Sequence, residues 1–183
     1  GASVLGGCCG TTPEYMKTMI EKTKDVEYRL PDLKNKTVVS SYTHSVEIGN
    51  NPVLIGERIN PTGKPKLKAA LKESNMTYIL NEAIRQEDAG VHILDVNAGL
   101  PEIDEAKILK NAIEAIQGVT DIPLQLDSND QVALEGAMRI YNGKPLRNSV
   151  NGKEESMNAI FPLVKKYGGV VVCLTLDENG IPE

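Results

Sequence analysis

From Pro52 onward, apolar runs of strand length alternate with segments of helical period, and each run ends in polar residues. The runs are VLIGERI, VHILDV, IPLQLD, PLRNSV and VVVCLTL. Between them lie KPKLKAALK and TYILNEAIRQEDAG, then EIDEAKILKNAIEAIQG, QVALEGAMRIYNG and KEESMNAIFPLVKKYGG. In the third of these helical segments Ile108, Leu109, Ile113 and Ile116 fall on one side, and Gly118 ends it. Pro162 is expected to kink the last. Apolar strands separated by amphipathic helices are the pattern of βαβ units, and hence of a parallel sheet.

The strand ends decide which parallel architecture to expect. Glu57-Arg58 with Asn60, Asp95 with Asn97, Asp127-Ser128, Asn148 with Asn151, and Thr175 with Asp177-Glu178 each follow a strand. In an open doubly wound sheet only the strands beside the switch point line the ligand crevice. In a (β/α)8 barrel every strand end does. The chain also lacks a GxGxxG after its first strand and a GxxxxGK[ST] anywhere. The reading is therefore an α/β protein of TIM-barrel type. The stretch 53–183 is about half of the ~250 residues a full barrel takes. It reads as the N-terminal half of a barrel, and an isolated half-barrel with open edges is not expected to fold independently.

The first 24 residues repeat the same grammar: a short apolar strand ending at Val4-Leu5, a cluster at Cys8-Cys9, and a helix starting at Thr12-Pro13. They read as the last βα unit of an upstream barrel. Residues 25–52 read as a linker with an extended middle, TVVSSYTHSVEI, where strand-like alternation occurs.

Composition narrows the function. The net charge is −5 and aromatics make up 4% of the 183 residues, which argues against a phosphate-binding basic patch or a base-stacking platform. No run approaches the ~18 apolar residues of a membrane span, and no signal peptide is visible. Three cysteines, two of them adjacent, fit a reducing compartment better than a disulfide framework, so a cytoplasmic location is expected.

The ordered set GGCCGTTPE, IGERINPTGK, DVNAGLPEIDE, LQLDS, NSVNGKEESM and LTLDENGIP resembles the cobalamin-dependent methionine synthase family. It is similar to the junction between that family's homocysteine-binding barrel and its pterin-binding barrel. The likeness is collinear over essentially the whole chain. It implies the upstream barrel's end at 1–24, the linker at 25–52 and the pterin barrel from 53 to 183. It also implies a methyltransferase that moves the N5-methyl of 5-methyltetrahydrofolate through cobalamin to homocysteine, giving methionine.

The resemblance assigns roles residue by residue. Cys8 and Cys9 match two of three zinc-binding cysteines, the third lying upstream. In the family the zinc lowers the thiol pKa of homocysteine. Asp127 matches the aspartate that pairs with the pterin's pyrimidine edge, where a carboxylate can accept two parallel N–H groups. Its bland alternative is a helix cap, since Asp-Ser-Asn is good capping chemistry. Asn148 also matches a pterin-facing position, and with Asp127 it is the expected catalytic pair. Asp95, Asn97 and Asn60 match positions beside the ligand, with structural hydrogen bonding as their alternative. Cobalamin is expected on another module or subunit, and neither nucleic acid nor membrane is an expected partner.

Outside these motifs, Glu57 and Arg58 read as an ion pair across the barrel mouth, and Cys173 reads as an inert core thiol. Neither His44 nor His92 has a metal-like neighbour. Arg147 stands where the family commonly has an apolar residue. Strand alternation points it toward the helix layer, where a charge needs a partner. Two other functions remain open: a pterin methyltransferase serving another corrinoid protein, and a pterin-binding module without catalysis. The isolated chain is expected to be inactive.

Overall fold

The computed structural model describes residues 4–27, 29 and 35–182. The chain divides into two compact units, Gly1–Asn35 and Lys36–Glu183.

In the first unit a turn at Cys8–Thr11 leads into helix α1 (Pro13–Thr23). Thr12 is its N-cap and accepts from the Tyr15 N–H, Pro13 opens the first turn, and Glu14 supplies negative charge at the positive end of the helix dipole. Of the short strand expected before it, residues 1–3 lie outside the described residues; Val4 and Leu5 are exposed and belong to no assigned strand among the described residues.

The second unit begins with a hairpin, β1 (Thr37–Ser40) and β2 (Ser45–Ile48), paired antiparallel. This is the extended middle of the 25–52 stretch. Five parallel strands follow: β3 (Ile55–Ile59), β4 (Ile93–Asn97), β5 (Leu124–Asp127), β6 (Leu146–Asn151) and β7 (Val170–Leu174). The helices between them are α2 (Pro65–Lys72), α3 (Met76–Asp88), α4 (Glu105–Ile116), α5 (Gln131–Ile140) and α6 (Glu154–Tyr167). Pro162 lies inside α6, which runs unbroken through it.

The strand order is β3-β4-β5-β6-β7, each strand beside the next in sequence. A doubly wound sheet must reverse that order to cover both faces with helices. Here the order never reverses, and the helices share one core with one face of the sheet. Leu94 and Val96 of β4 and Leu124 and Leu126 of β5 pack in that core with Leu67, Ile79, Leu109, Ile113 and Leu134 of the helices. These side chains are fully buried, each stabilising the fold by roughly 1.5–3 kcal/mol. The α/β fold is thus a sheet of TIM-barrel type with one helix-covered face and one inner face that no helix covers.

The inner face is layered by register. Asp95 pairs with Gln125, Gln125 with Leu146, and Leu146 with Val170. One layer further toward the strand C-termini, Asn97 pairs with Asp127, Asp127 with Asn148, and Asn148 with Val172. At the opposite end, Val39 of the hairpin packs with Ile93 and Leu146, and Val39 and Ile93 are wholly buried.

Cys173 is exposed rather than buried in a core. It lies on β7, an edge strand of the sheet, so alternation along that strand does not guarantee cover on either side.

Candidate active site

The upper inner layer gathers most of the residues singled out in the sequence. Asp127, the last residue of β5, is half-buried, and its Oδ2 accepts from Asn97 Nδ2 at 2.9 Å and, at a long 3.5 Å, from Asn60 Nδ2. Among the described residues Oδ1 accepts no hydrogen bond. Asp127 does not cap the following helix. That task falls to Asp130, whose carboxylate accepts from the Val132 and Ala133 N–H groups at 2.7 and 3.2 Å. The capping chemistry of the Asp-Ser-Asn-Asp stretch is therefore real but sits three residues on, which leaves the Asp127 carboxylate free.

Asn97 and Asn60 each divide their amide between backbone and site. Asn97 Oδ1 accepts from the Gly99 N–H at 2.8 Å, an Asx-type turn, and its nitrogen faces Asp127. Asn60 Oδ1 accepts from the Thr62 N–H at 3.1 Å. Asn148 is half-buried beside Asp127 in the ladder.

Asp95 sits one layer deeper and is 2% exposed. Gln125 Nε2 donates to its Oδ1 at 2.5 Å. Burial dominates its ionisation and raises its pKa from 3.8 to about 6, opposed by the Gln125 hydrogen bond and reinforced by the Asp127 charge. Gln125 is a polar residue that the motif reading passed over. Its signal was present, since it lies two residues before Asp127 on the same strand and so on the same face.

The rim differs from the expected Glu57–Arg58 ion pair. Glu57 pairs with Lys64 at 2.8 Å, and Lys64 also donates to the Glu57 and Asn60 carbonyls at 3.0 and 3.1 Å. Adjacent strand residues point to opposite faces, so Glu57 and Arg58 diverge. Arg58 instead faces the α3 side, where its backbone N–H donates to Gln86 Oε1. His92 is structural: its Nδ1 accepts from the Leu54 N–H at 2.9 Å.

Cys8 and Cys9 lie in the first unit, both exposed, with their sulfurs 4.0 Å apart. A catalytic zinc takes three protein ligands. Among the described residues no three His, Cys, Asp or Glu side chains converge on a metal position. The two thiols do not by themselves make a zinc centre. No described helix is long and apolar enough to cross a membrane.

A parallel barrel-type sheet with carboxylate and amide groups at its strand C-termini is an α/β fold in whose enzymes the active site is built at that end. Residues 56–181 match the family described as pterin binding enzyme, and the chain belongs to that family.

Proposed function

We propose that this chain carries the 5-methyltetrahydrofolate-binding site of a corrinoid-dependent methyltransferase of the methionine synthase type. The observation that carries the reading is the Asp127 carboxylate. It is relieved of helix capping by Asp130, oriented through one oxygen by Asn97, and left with its other oxygen unpaired. A pterin's pyrimidine edge offers two parallel N–H donors, from the 2-amino group and the ring nitrogen, which a carboxylate accepts. Asn148, next to it in the ladder, can donate and accept at a ring of mixed edges.

The chemistry required at this site is protonation of N5, because a neutral tertiary amine is a poor leaving group. Carboxylate and amide groups around the ring favour its cationic form and so lower the barrier to methyl departure. Asp95, with its pKa near 6, lies one layer below and can hold a proton close to neutral pH. Cob(I)alamin, if brought by another module, would supply the nucleophile for the methyl group. Homocysteine as final acceptor and a cytoplasmic setting belong to the same reading, supported by the Cys8-Cys9 pair in its glycine-rich turn.

The test is to give the intact protein 5-methyltetrahydrofolate and cob(I)alamin without oxygen and follow the cobalamin absorption spectrum. Conversion to methylcobalamin is expected. Absence of transfer, together with condensation of a dihydropterin pyrophosphate with p-aminobenzoate, would move the protein to a different branch of the pterin-binding enzymes.

A further inference from the structure

On the outer face of β6, directly behind Asn148, the structure buries a cation. Arg147 is 1% exposed and pairs in the ladder with Leu126 of the helix-covered core. Its Nη2 donates to the Ser128 carbonyl at 2.6 Å. Its Nε and Nη1 have no hydrogen-bond partner among the described residues. A guanidinium carries five N–H donors, so three of them stand unpaired in a closed environment, and buried donors in folded proteins are almost always paired. No carboxylate forms an ion pair with Arg147 among the described residues, and burial lowers its pKa to about 10, which still leaves it charged at neutral pH.

Arg147 lines a cleft of about 270 Å³ between the beginnings of α5 and α6. Asn129, Gln131, Ser149 and Ser156 give the cleft amide and hydroxyl groups, and Lys153 and Glu155 contribute one charge of each sign. At the start of α6, Lys153 occupies the N-cap position and makes no side-chain cap hydrogen bond. Of the nearby acids, Asp130 is committed to capping α5, Glu178 Oε1 accepts from the Glu154 N–H at 3.4 Å, Glu154 and Glu155 lie in the first turn of α6, and the charge of Asp127 opposes the lowering of the Arg147 pKa. Two helices direct the positive ends of their dipoles here, and a helix start favours an anion.

We propose that this cleft binds a phosphate-class oxyanion, with Arg147 as its principal partner and the start of α6 and Lys153 as its supports. The donors are N–H and O–H groups on several sides, which suits a tetrahedral oxyanion and gives a metal ion no cage. Asn129 and Gln131 are exposed members of the lining. The cleft lies on the opposite face of β6 from Asn148, so this proposal does not depend on the pterin reading.

The probe is inorganic phosphate, titrated into the intact protein at ionic strength held constant with chloride. Melting temperature and the amide resonances of Glu155 and Ser156 report binding. A saturable rise in melting temperature is expected, with shifts in both amides. Arg147→Met should abolish the response, lowering apparent affinity by at least about tenfold, since charged hydrogen bonds contribute about 1.5–3 kcal/mol each. Methionine fills the same apolar surroundings, and replacing a buried charge by an apolar side chain is often tolerated. If that variant does not fold, Lys153→Gln, at an exposed position, should still weaken phosphate ~1.5- to 5-fold. A simple phosphate monoester titrated in parallel distinguishes the source. Tighter binding than phosphate points to a phosphorylated metabolite, and equal binding points to the free ion. Equal phosphate responses in parent and variant, or a response no larger than that to chloride, would overturn the proposal.

Discussion

The two ends of the five-stranded sheet follow opposite rules. At the N-terminal end the β1–β2 hairpin packs on the inner face, and its polar groups are paired. Ser40 and Lys144 exchange backbone hydrogen bonds at 2.8 and 2.9 Å, and Tyr141 Oη donates to the Ser40 carbonyl while accepting from the Leu124 N–H. At the C-terminal end, carboxylates and amides converge with acceptors left over, as at Asp127. Satisfied polar groups and buried apolar side chains stabilise a fold, whereas unsatisfied ones cost energy until a ligand meets them. The difference places stability at one end of the sheet and ligand chemistry at the other. Substitutions at the two ends should therefore separate melting from binding.

The largest effect is expected at the closed end. Gly143 has φ +152°, and an added Cβ would lie 2.2 Å from the Ser40 carbonyl oxygen. Backbone lies on both sides of that contact, so neither partner can swing away. Gly143→Ala should cost more than about 4 kcal/mol, the range of severe core lesions. Denaturant unfolding of the intact protein checks this. A variant with unchanged midpoint would show that the hairpin adds little to the fold.

At the open end, Asp127→Asn should leave melting nearly unchanged and weaken folate by about 30- to 1000-fold, or roughly 2–4 kcal/mol. The substitution replaces an acceptor by a donor that faces the ligand's own N–H groups. Because Asp130 does the capping, no helix is lost with the carboxylate. Calorimetry with 5-methyltetrahydrofolate and a melting curve on the same sample make the comparison. Unchanged binding with a lower melting temperature would place Asp127 among the structural residues.

Asp95 lies between the two ends and should behave accordingly. Its folded pKa, about 6, is above its unfolded value of 3.8, so the folded state binds the proton more tightly. Its favourable contribution is complete below pH 3.8 and is lost as pH rises through 6, leaving a penalty of about 3 kcal/mol for the ionised form above that. Asp95→Asn keeps an acceptor for Gln125 and removes the charge. It should stabilise the protein by up to about that amount at pH 8 and by little at pH 4, with folate affinity less affected than by Asp127→Asn. A pH series of unfolding free energies for parent and variant checks the sign.

Much of this division can be read from the sequence. The period-2 strands, the amphipathic helices and the polar run-outs locate the sheet and its ligand-facing end, and LQLD and NSVN put Asp127 and Asn148 in adjacent strands. What sequence reasoning misses is set by contacts between distant segments. Thr37–Ile48 shows strand alternation, but its docking depends on Tyr141 and Gly143, about a hundred residues away. Lys64 takes Glu57 because the β3–α2 turn brings it back over the strand end, which no spacing rule specifies. Arg147 is legible as an outward-facing charge, yet only the packed structure shows that most of its donors remain unpaired.

The smallest of these effects concerns one hydroxyl. Tyr141→Phe removes the bridge between hairpin and sheet while keeping the ring. The Ser40 carbonyl still accepts from the Lys144 N–H, but the Leu124 N–H loses its acceptor at the start of a buried strand. One orphaned buried donor costs roughly 1–3 kcal/mol. Burial raises the phenol pKa from 10 to about 12 against the opposing hydrogen bond from Leu124. The folded state therefore holds the phenol proton more tightly than the unfolded chain does. The contribution is complete below pH 10 and is lost as pH climbs through 12, because the unfolded chain ionises first. Parent protein should lose stability over that window with one more step than Tyr141→Phe. Faster amide exchange at Leu124 in the variant, at neutral pH, would locate the loss at this bridge. Unchanged exchange there, with a lower midpoint, would mean that the ring's packing matters and the hydroxyl does not.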